Sequence, residues 1–205
     1  MPEITGVKER RGKARVFADG EFRAEIDAGV AVERGLFEGV ELPEGELTEA
    51  LLAGERALAM NRALHLLGYR ARSEGELRGR LVRHGHCEEV VEAVVVRLGE
   101  LGYLDDKEFA RGMANQKAHK YGPRRVSLEL RRVGVDAATA EEAVGEAFRD
   151  HSEEEAARYA AARRYNTVER SDAVSRRVYG FLTRRGYSAQ VCADVAREYR
   201  EASAE

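Results

Sequence analysis

The chain has 205 residues, 43% hydrophobic and 35% charged, and its 34 Lys and Arg against 37 Asp and Glu give a formal net charge of −3. That apolar content excludes a disordered chain, and the near-neutral balance excludes a protein whose whole surface coats nucleic acid. Three prolines, no tryptophan and many Ala, Leu, Glu and Arg favour helix over a many-stranded sandwich, so the expected class is mainly α.

Residues 1–45 read as a small β region. The run Ala14 to Ile26 centres an Asp19-Gly20 dipeptide between β-prone stretches, a strong short-range hairpin signal. Val7, Val30, Val32 and Leu42 suggest further short strands, and a lone hairpin is marginal in water, so the strands must pair further or pack on helices. Residues 46–105 read as a first three-helix repeat with its lead-in helix. Met60, Ala63, Leu64 and Leu67 follow the i, i+3, i+4, i+7 pattern, and Ser73-Glu74-Gly75-Glu76 is a capping box that opens the next helix. Residues 106–150 read as a second repeat: Asp105 or Asp106 caps a helix carrying Phe109 and Met113, and Gly122-Pro123 restarts the chain with proline at the first helical position. Residues 151–205 read as a third, opened by the capping box Ser152-Glu153-Glu154-Glu155, with Ala156, Tyr159 and Ala160 following. The expected architecture is a tandem array of three three-helix repeats with a small N-terminal β-hairpin region, α+β overall.

The repeats share a signature. Leu-x-Arg-x-Gly occurs at Leu81 to Gly85, Leu130 to Gly134 and Leu182 to Gly186, with an apolar residue eight before each glycine (Leu77, Val126, Val178) and another nine after it (Val94, Ala143, Val195). Each glycine is expected to end a helix with φ > 0, and Asp136 and Ser188 to cap the helix that follows. Tyr69, Tyr103, Tyr121 and Tyr187 stand beside these turns and are expected to pack helix ends, with Tyr121 set among Lys117, Lys120, Arg124 and Arg125.

Charge is uneven along the chain. Residues 1–54 carry 7 basic and 12 acidic residues, whereas residues 107–150 are net +2. Arginine doublets at 124–125, 131–132, 163–164, 176–177 and 184–185 fall in the second and third repeats. The first two are seven apart, so each member shares a helix face with its counterpart two turns on. Lys117, Lys120, Tyr121, Arg124, Arg125, Arg131 and Arg132 are therefore the candidate partner-binding or DNA-binding residues, with Arg163 and Arg164 outside this stripe.

No phosphate loop, dinucleotide fingerprint, nucleophile elbow or H-E-x-x-H occurs, so no catalytic residue and no cofactor is expected. His84-Gly85-His86-Cys87-Glu88-Glu89 holds potential metal ligands. The other repeats place non-ligands at the same turn, which favours a helix terminus and cap over a metal site. No apolar stretch approaches the roughly 18 to 20 residues of a membrane span, and Met1 to Lys13 is unlike a signal peptide. Cys87 and Cys192 are too few for a disulfide framework, and a soluble, cytoplasmic monomer with free thiols is expected.

Three blocks carry a resemblance: Arg62 to Leu77 (RALHLLGYRARSEGEL), Leu98 to Ala110 (LGELGYLDDKEFA) and Tyr121 to Arg125 (YGPRR). In this order they resemble the signature blocks of the RecX family, bacterial regulators of the RecA recombinase, over about residues 55–150. The third repeat resembles the family less sharply, keeping Leu182, Arg184 and Gly186. The resemblance implies a non-enzymatic protein that binds the RecA filament on single-stranded DNA and suppresses its ATPase, strand exchange and co-protease action. It leaves direct contact with single-stranded DNA open. The other readings are a DNA binder built from helix-turn-helix-like pairs, for which the acidic last helix of each repeat is poorly equipped, and a passive scaffold.

Overall fold

A computed structural model describes residues 1–165 and 170–200. The chain forms two compact units, Met1–Leu104 and Asp105–Glu205.

The first unit begins with an antiparallel sheet of order β1-β2-β3, comprising β1 (Ile4–Arg10), β2 (Lys13–Ala18) and β3 (Glu21–Asp27). Both of its turns are two-residue loops with paired left-handed residues, Arg11-Gly12 (φ 54° and 76°) and Asp19-Gly20 (φ 52° and 81°). Such turns match the right-handed twist of the flanking strands. Val7 lies in β1, but Val30 and Val32 do not form strands. They sit in helix α1 (Ala28–Glu33), because the Asp27 carboxylate accepts hydrogen bonds from the Gly29 and Val30 N–H groups and starts a helix where β-branched residues alone suggest extension. Leu42 follows an isolated bridge between Glu3 and Glu41 and belongs to no strand.

Helix α2 (Glu44–Tyr69) joins the sheet to the first repeat. Leu47 and Ala50 complete the core under the sheet with Ile4, Val16 and Ile26, while Ala59, Ala63 and Leu66 belong to the core of the repeat. Between them Gly54 lets the helix approach the strand: a Cβ there would meet the Ile26 Cβ at 2.6 Å. Of the stripe expected from the sequence, Met60, Ala63 and Leu67 pack on this core with Leu66, and Leu64 alone lies outside it, exposed. Helices α3 (Glu74–Arg83) and α4 (Glu88–Glu100) complete this repeat.

The second unit holds α5 (Asp106–Ala118), α6 (Pro123–Arg132) and α7 (Ala137–Asp150), then α8 (Glu153–Tyr165), α9 (Asp172–Arg184) and α10 (Ala189–Arg197). The side chains of Asp105, Asp136, Ser152, Ser171 and Ser188 each cap a helix, as Ser73 does in the first unit. In α8 the buried residues are Ala157, Ala160 and Ala161, and Tyr159 points outward, against the expected stripe.

The glycine turns recur with the same hydrogen bonds. Gly85, Gly134 and Gly186 have φ of 92°, 88° and 81°. Their N–H groups donate to Val82, Arg131 and Thr183, and the next residues, His86, Val135 and Tyr187, donate to the carbonyls of Leu81, Leu130 and Leu182. This paired arrangement satisfies two carbonyls left open at a helix end. All three leucines and the six apolar residues at the shared offsets are buried, which ties each turn to its own core. Tyr187 is buried beneath its turn, but Tyr69 and Tyr103 are largely exposed and do not pack helix ends. Both cysteines are free thiols, with Cys192 buried and Cys87 exposed.

Candidate functional site

The candidate stripe is built by the end of α5, the turn Lys120 to Gly122 and the whole of α6. Proline at the first position of α6 fixes the helical φ and needs no N–H partner. The Arg125 N–H donates to the Gly122 carbonyl, and the donors before it are met by the third repeat. Gly122 N–H donates to the Arg185 carbonyl at 3.0 Å, Arg124 N–H donates to the Gly186 carbonyl at 3.2 Å, and the Arg185 guanidinium donates to the Lys120 carbonyl at 2.9 Å. The two backbones touch: a Cβ on Gly122 would lie 2.3 Å from the Tyr187 nitrogen, and one on Gly186 would lie 2.4 Å from the Arg125 nitrogen. YGPRR is therefore a latch that seats the second repeat on the glycine turn of the third.

That latch divides the seven candidate residues. Lys117 and Arg125 both grip the Glu129 carboxylate, Arg125 at 2.7 Å. The hydrogen bond from Lys117, reinforced by Arg125 against the opposing effect of burial, holds Glu129 below the usual carboxylate range. Tyr121 is half-buried against the second repeat's core, with the cations of Lys117, Arg125 and Arg185 5.5–5.8 Å from its ring centroid. These three residues are joined to the fold. Lys120, Arg124, Arg131 and Arg132 are exposed, and among the described residues none has a carboxylate partner. Arg124 and Arg131 flank the exposed Leu128 at i, i+4, i+7 spacing, so they share one open face of α6.

A cleft of about 410 Å³ in this unit is lined by Lys120 together with His119, Tyr159, Arg163, Arg164 and Arg185. Arg163 and Arg164, set apart from the stripe in the sequence, thus share a surface with Lys120. Their doublet was visible in the sequence, but the folding of α8 beside the end of α5 was not. A guanidinium 5.8 Å from the half-exposed Tyr159 ring makes this wall cationic and aromatic, and the His119 ring lies 4.3 Å from that of His151 in a tilted contact at 53°.

The first unit uses its arginines differently. Arg70, Arg72 and Arg80 converge on one oxygen of Glu76, whose side chain is 11% exposed, and Arg72 is itself buried and donates to the Leu66 carbonyl. Burial alone would raise the Glu76 pKa, but the hydrogen bonds from Arg70 and Arg80 and the surrounding guanidinium charges hold it below the usual range. Burial also pulls the Arg72 pKa below its ordinary value, against the raising effect of the Glu76 charge. At the first glycine turn the Arg62 guanidinium lies 2.7 Å from His84 Nε2, and burial followed by that positive charge lowers the His84 pKa. Cys87 N–H donates to Glu55, as Ser188 N–H donates to Glu153 in the third repeat, a shared lead-helix contact that no motif announced.

Comparison with known proteins places these features in a family. The sequence profile of the first RecX three-helix domain matches residues 59–98, and that of the second matches residues 105–144. A protein of Amycolatopsis mediterranei named regulatory protein RecX is 39% identical over 145 residues, covering 68% of this chain and 82% of that protein. The chain belongs to the RecX family. A Deinococcus radiodurans RecX is 37% identical, covering 76% of this chain and 71% of that protein. A Bacillus velezensis RecX is 32% identical over 78% of this chain, and the chain spans about 62% of its length. The fold agrees with a crystal structure of regulatory protein RecX at a TM-score of 0.67 over 96% of this chain (24% identity), and with RecX of Lactobacillus salivarius at 0.62 over 72% (23% identity). Two of the family's blocks here have structural work: ARSEGE supplies the Arg72–Glu76 cluster and YGPRR supplies the latch.

Proposed function

We propose that this chain is a non-enzymatic negative regulator of the RecA recombinase that binds the RecA filament on single-stranded DNA and lowers its ATPase, strand exchange and co-protease activity. The relatives' shared name, regulatory protein RecX, supports the regulatory part of this reading. The observation that carries the contact surface is the set of exposed cations in the second unit, Lys120, Arg124, Arg131 and Arg132, that have no carboxylate partner among the described residues. An acidic recombinase surface or the phosphates of the bound DNA would complement them, and either contact weakens with salt.

The test is the DNA-dependent ATPase of the cognate recombinase titrated with this protein. Wild type should inhibit, with inhibition falling as salt rises, and the protein alone should hydrolyse no ATP. Unchanged ATPase with tight binding to free DNA would favour the direct DNA-binding reading instead.

A further inference from the structure

The N-terminal sheet carries a second basic surface, in the other compact unit from the candidate stripe. Residues 1–54 hold only seven basic residues against twelve acidic ones, yet five of the seven, Lys8, Arg10, Arg11, Lys13 and Arg15, lie within eight positions on the β1–β2 hairpin. The alternation of β2 puts Ala14, Val16 and Ala18 into the core and Lys13, Arg15 and Phe17 on the outward face. Register brings Lys8 opposite Arg15 and Arg10 opposite Lys13. Glu25 and Asp27 on β3 stand opposite Arg15 and Lys13 and offset charge on that side of β2, but like charges directly across β1 and β2 oppose pairing and leave Lys8 and Arg10 with no acid across the strands.

Two aromatic rings stand on the same face. Phe17 pairs with Phe22 across β2 and β3, their centroids 5.7 Å apart in an edge-to-face contact, and Phe22 is 50% exposed. Arg15 lies 4.9 Å from the Phe22 centroid and Lys8 lies 5.2 Å from that of Phe17. The acids on this face are already engaged: Glu25 with Lys13 at 2.7 Å, and Asp27 as the cap of α1. Among the described residues, Lys8, Arg10 and Arg15 have no carboxylate partner.

We propose that this outward sheet face is a binding platform for single-stranded DNA, with Phe22 and Phe17 stacking on bases and Lys8, Arg10 and Arg15 holding the phosphates. Exposed aromatics interleaved with cations are what an unpaired strand requires, because each base offers a π-face and each linkage a negative charge. A duplex hides its base faces, and an acidic peptide has no use for the rings.

The test uses the full chain without recombinase, so its outcome is independent of filament regulation. A fluorescent oligo(dT) of twenty nucleotides is titrated by anisotropy, and an iododeoxyuridine oligonucleotide is photo-cross-linked and the adducts mapped. Phe22→Ala should weaken binding about tenfold, in line with the loss of one stacked base, and Phe22→Tyr should restore it. Lys8→Glu with Arg15→Glu, both at exposed positions, should weaken it at least tenfold, and the cross-links should fall on Phe17 or Phe22. Affinity within twofold of wild type for the folded charge-reversal variant, cross-links only in residues 105–200, or equal competition by duplex DNA or polyglutamate would overturn the proposal.

Discussion

In residues 1–104 six arginines of the first repeat are bound to carboxylates: Arg70, Arg72 and Arg80 to Glu76, Arg78 to Glu74 and Glu92, Arg56 to Glu89 and Arg97 to Glu100, while Arg62 meets His84 instead. In residues 105–200 the doublets behave differently, since Arg125 is paired but Arg124, Arg131, Arg132, Arg163, Arg164, Arg176, Arg177 and Arg184 have no ion pair among the described residues. The second unit pairs the single arginines Arg111, Arg149, Arg158, Arg197 and Arg200, as the first repeat does, so the difference lies in the doublets. Where Glu lies at i±4 or on the facing helix, the guanidinium stabilises the fold; where it does not, the charge is available to a partner.

The comparison is broken most forcefully at Glu76. Glu76→Ala leaves the buried Arg72 cation without its carboxylate, and chemical denaturation of the first unit should show a loss of about 3–5 kcal/mol. A loss below about 1 kcal/mol would place that cluster with the exposed pairs, which contribute little. Next is the latch. Gly186→Ala should cost about 2–3 kcal/mol, since φ of 81° and the Arg125 backbone both oppose a Cβ. The loss should appear in the second unit only, which hydrogen exchange by mass spectrometry resolves.

Proton linkage sharpens the same contrast. Glu76 and Glu129 have folded pKa values below their unfolded ones, so the stability they contribute is fully present above the unfolded value near 4.5 and is lost as pH falls through the lowered folded values. Denaturant midpoints measured from pH 6 down to pH 3 should fall, and Glu76→Gln should be less stable at pH 6 with a flatter acid limb. The opposite limb belongs to Tyr187, whose buried hydroxyl has no hydrogen-bond partner among the described residues and whose pKa is pushed up to about 12 by burial. Its folded value exceeds its unfolded one near 10, so that stability is present below pH 10 and is lost between pH 10 and 12. Tyr187→Phe should be the smallest change, within about 1 kcal/mol of wild type at pH 7, because it removes an unsatisfied hydroxyl and keeps the ring.

Much of the fold was legible because it was written three times. The glycines at 85, 134 and 186 share offsets to buried residues, and a recurrence at three places constrains packing in a way that one helix-ending glycine does not. Val30 and Val32 misled because their propensity was read without Asp27, whose carboxylate decides the local conformation through two hydrogen bonds. Leu64 misled because it stands at the edge of the stripe Ala59, Ala63 and Leu66, where i+4 spacing from Met60 does not tell a flanking position from a buried one. Of the candidate site, the density of charge was legible but its division was not. Tyr121 meets Arg185, and Gly122 meets Tyr187, across some 64 residues of sequence, so long-range packing rather than local pattern made Lys117, Tyr121 and Arg125 structural.

The most direct test of this account changes only cations that the fold leaves open. Lys120→Glu, Arg124→Glu and Arg131→Glu combined should keep the thermal midpoint close to wild type, since exposed substitutions of this kind cost within about 0.5 kcal/mol each. The same variant should lose inhibition of the recombinase's DNA-dependent ATPase, while reversal of the paired Arg97 in the first unit to Glu should retain it. Full inhibition by the folded triple variant would contradict the claim that the open cations of the second unit make the contact.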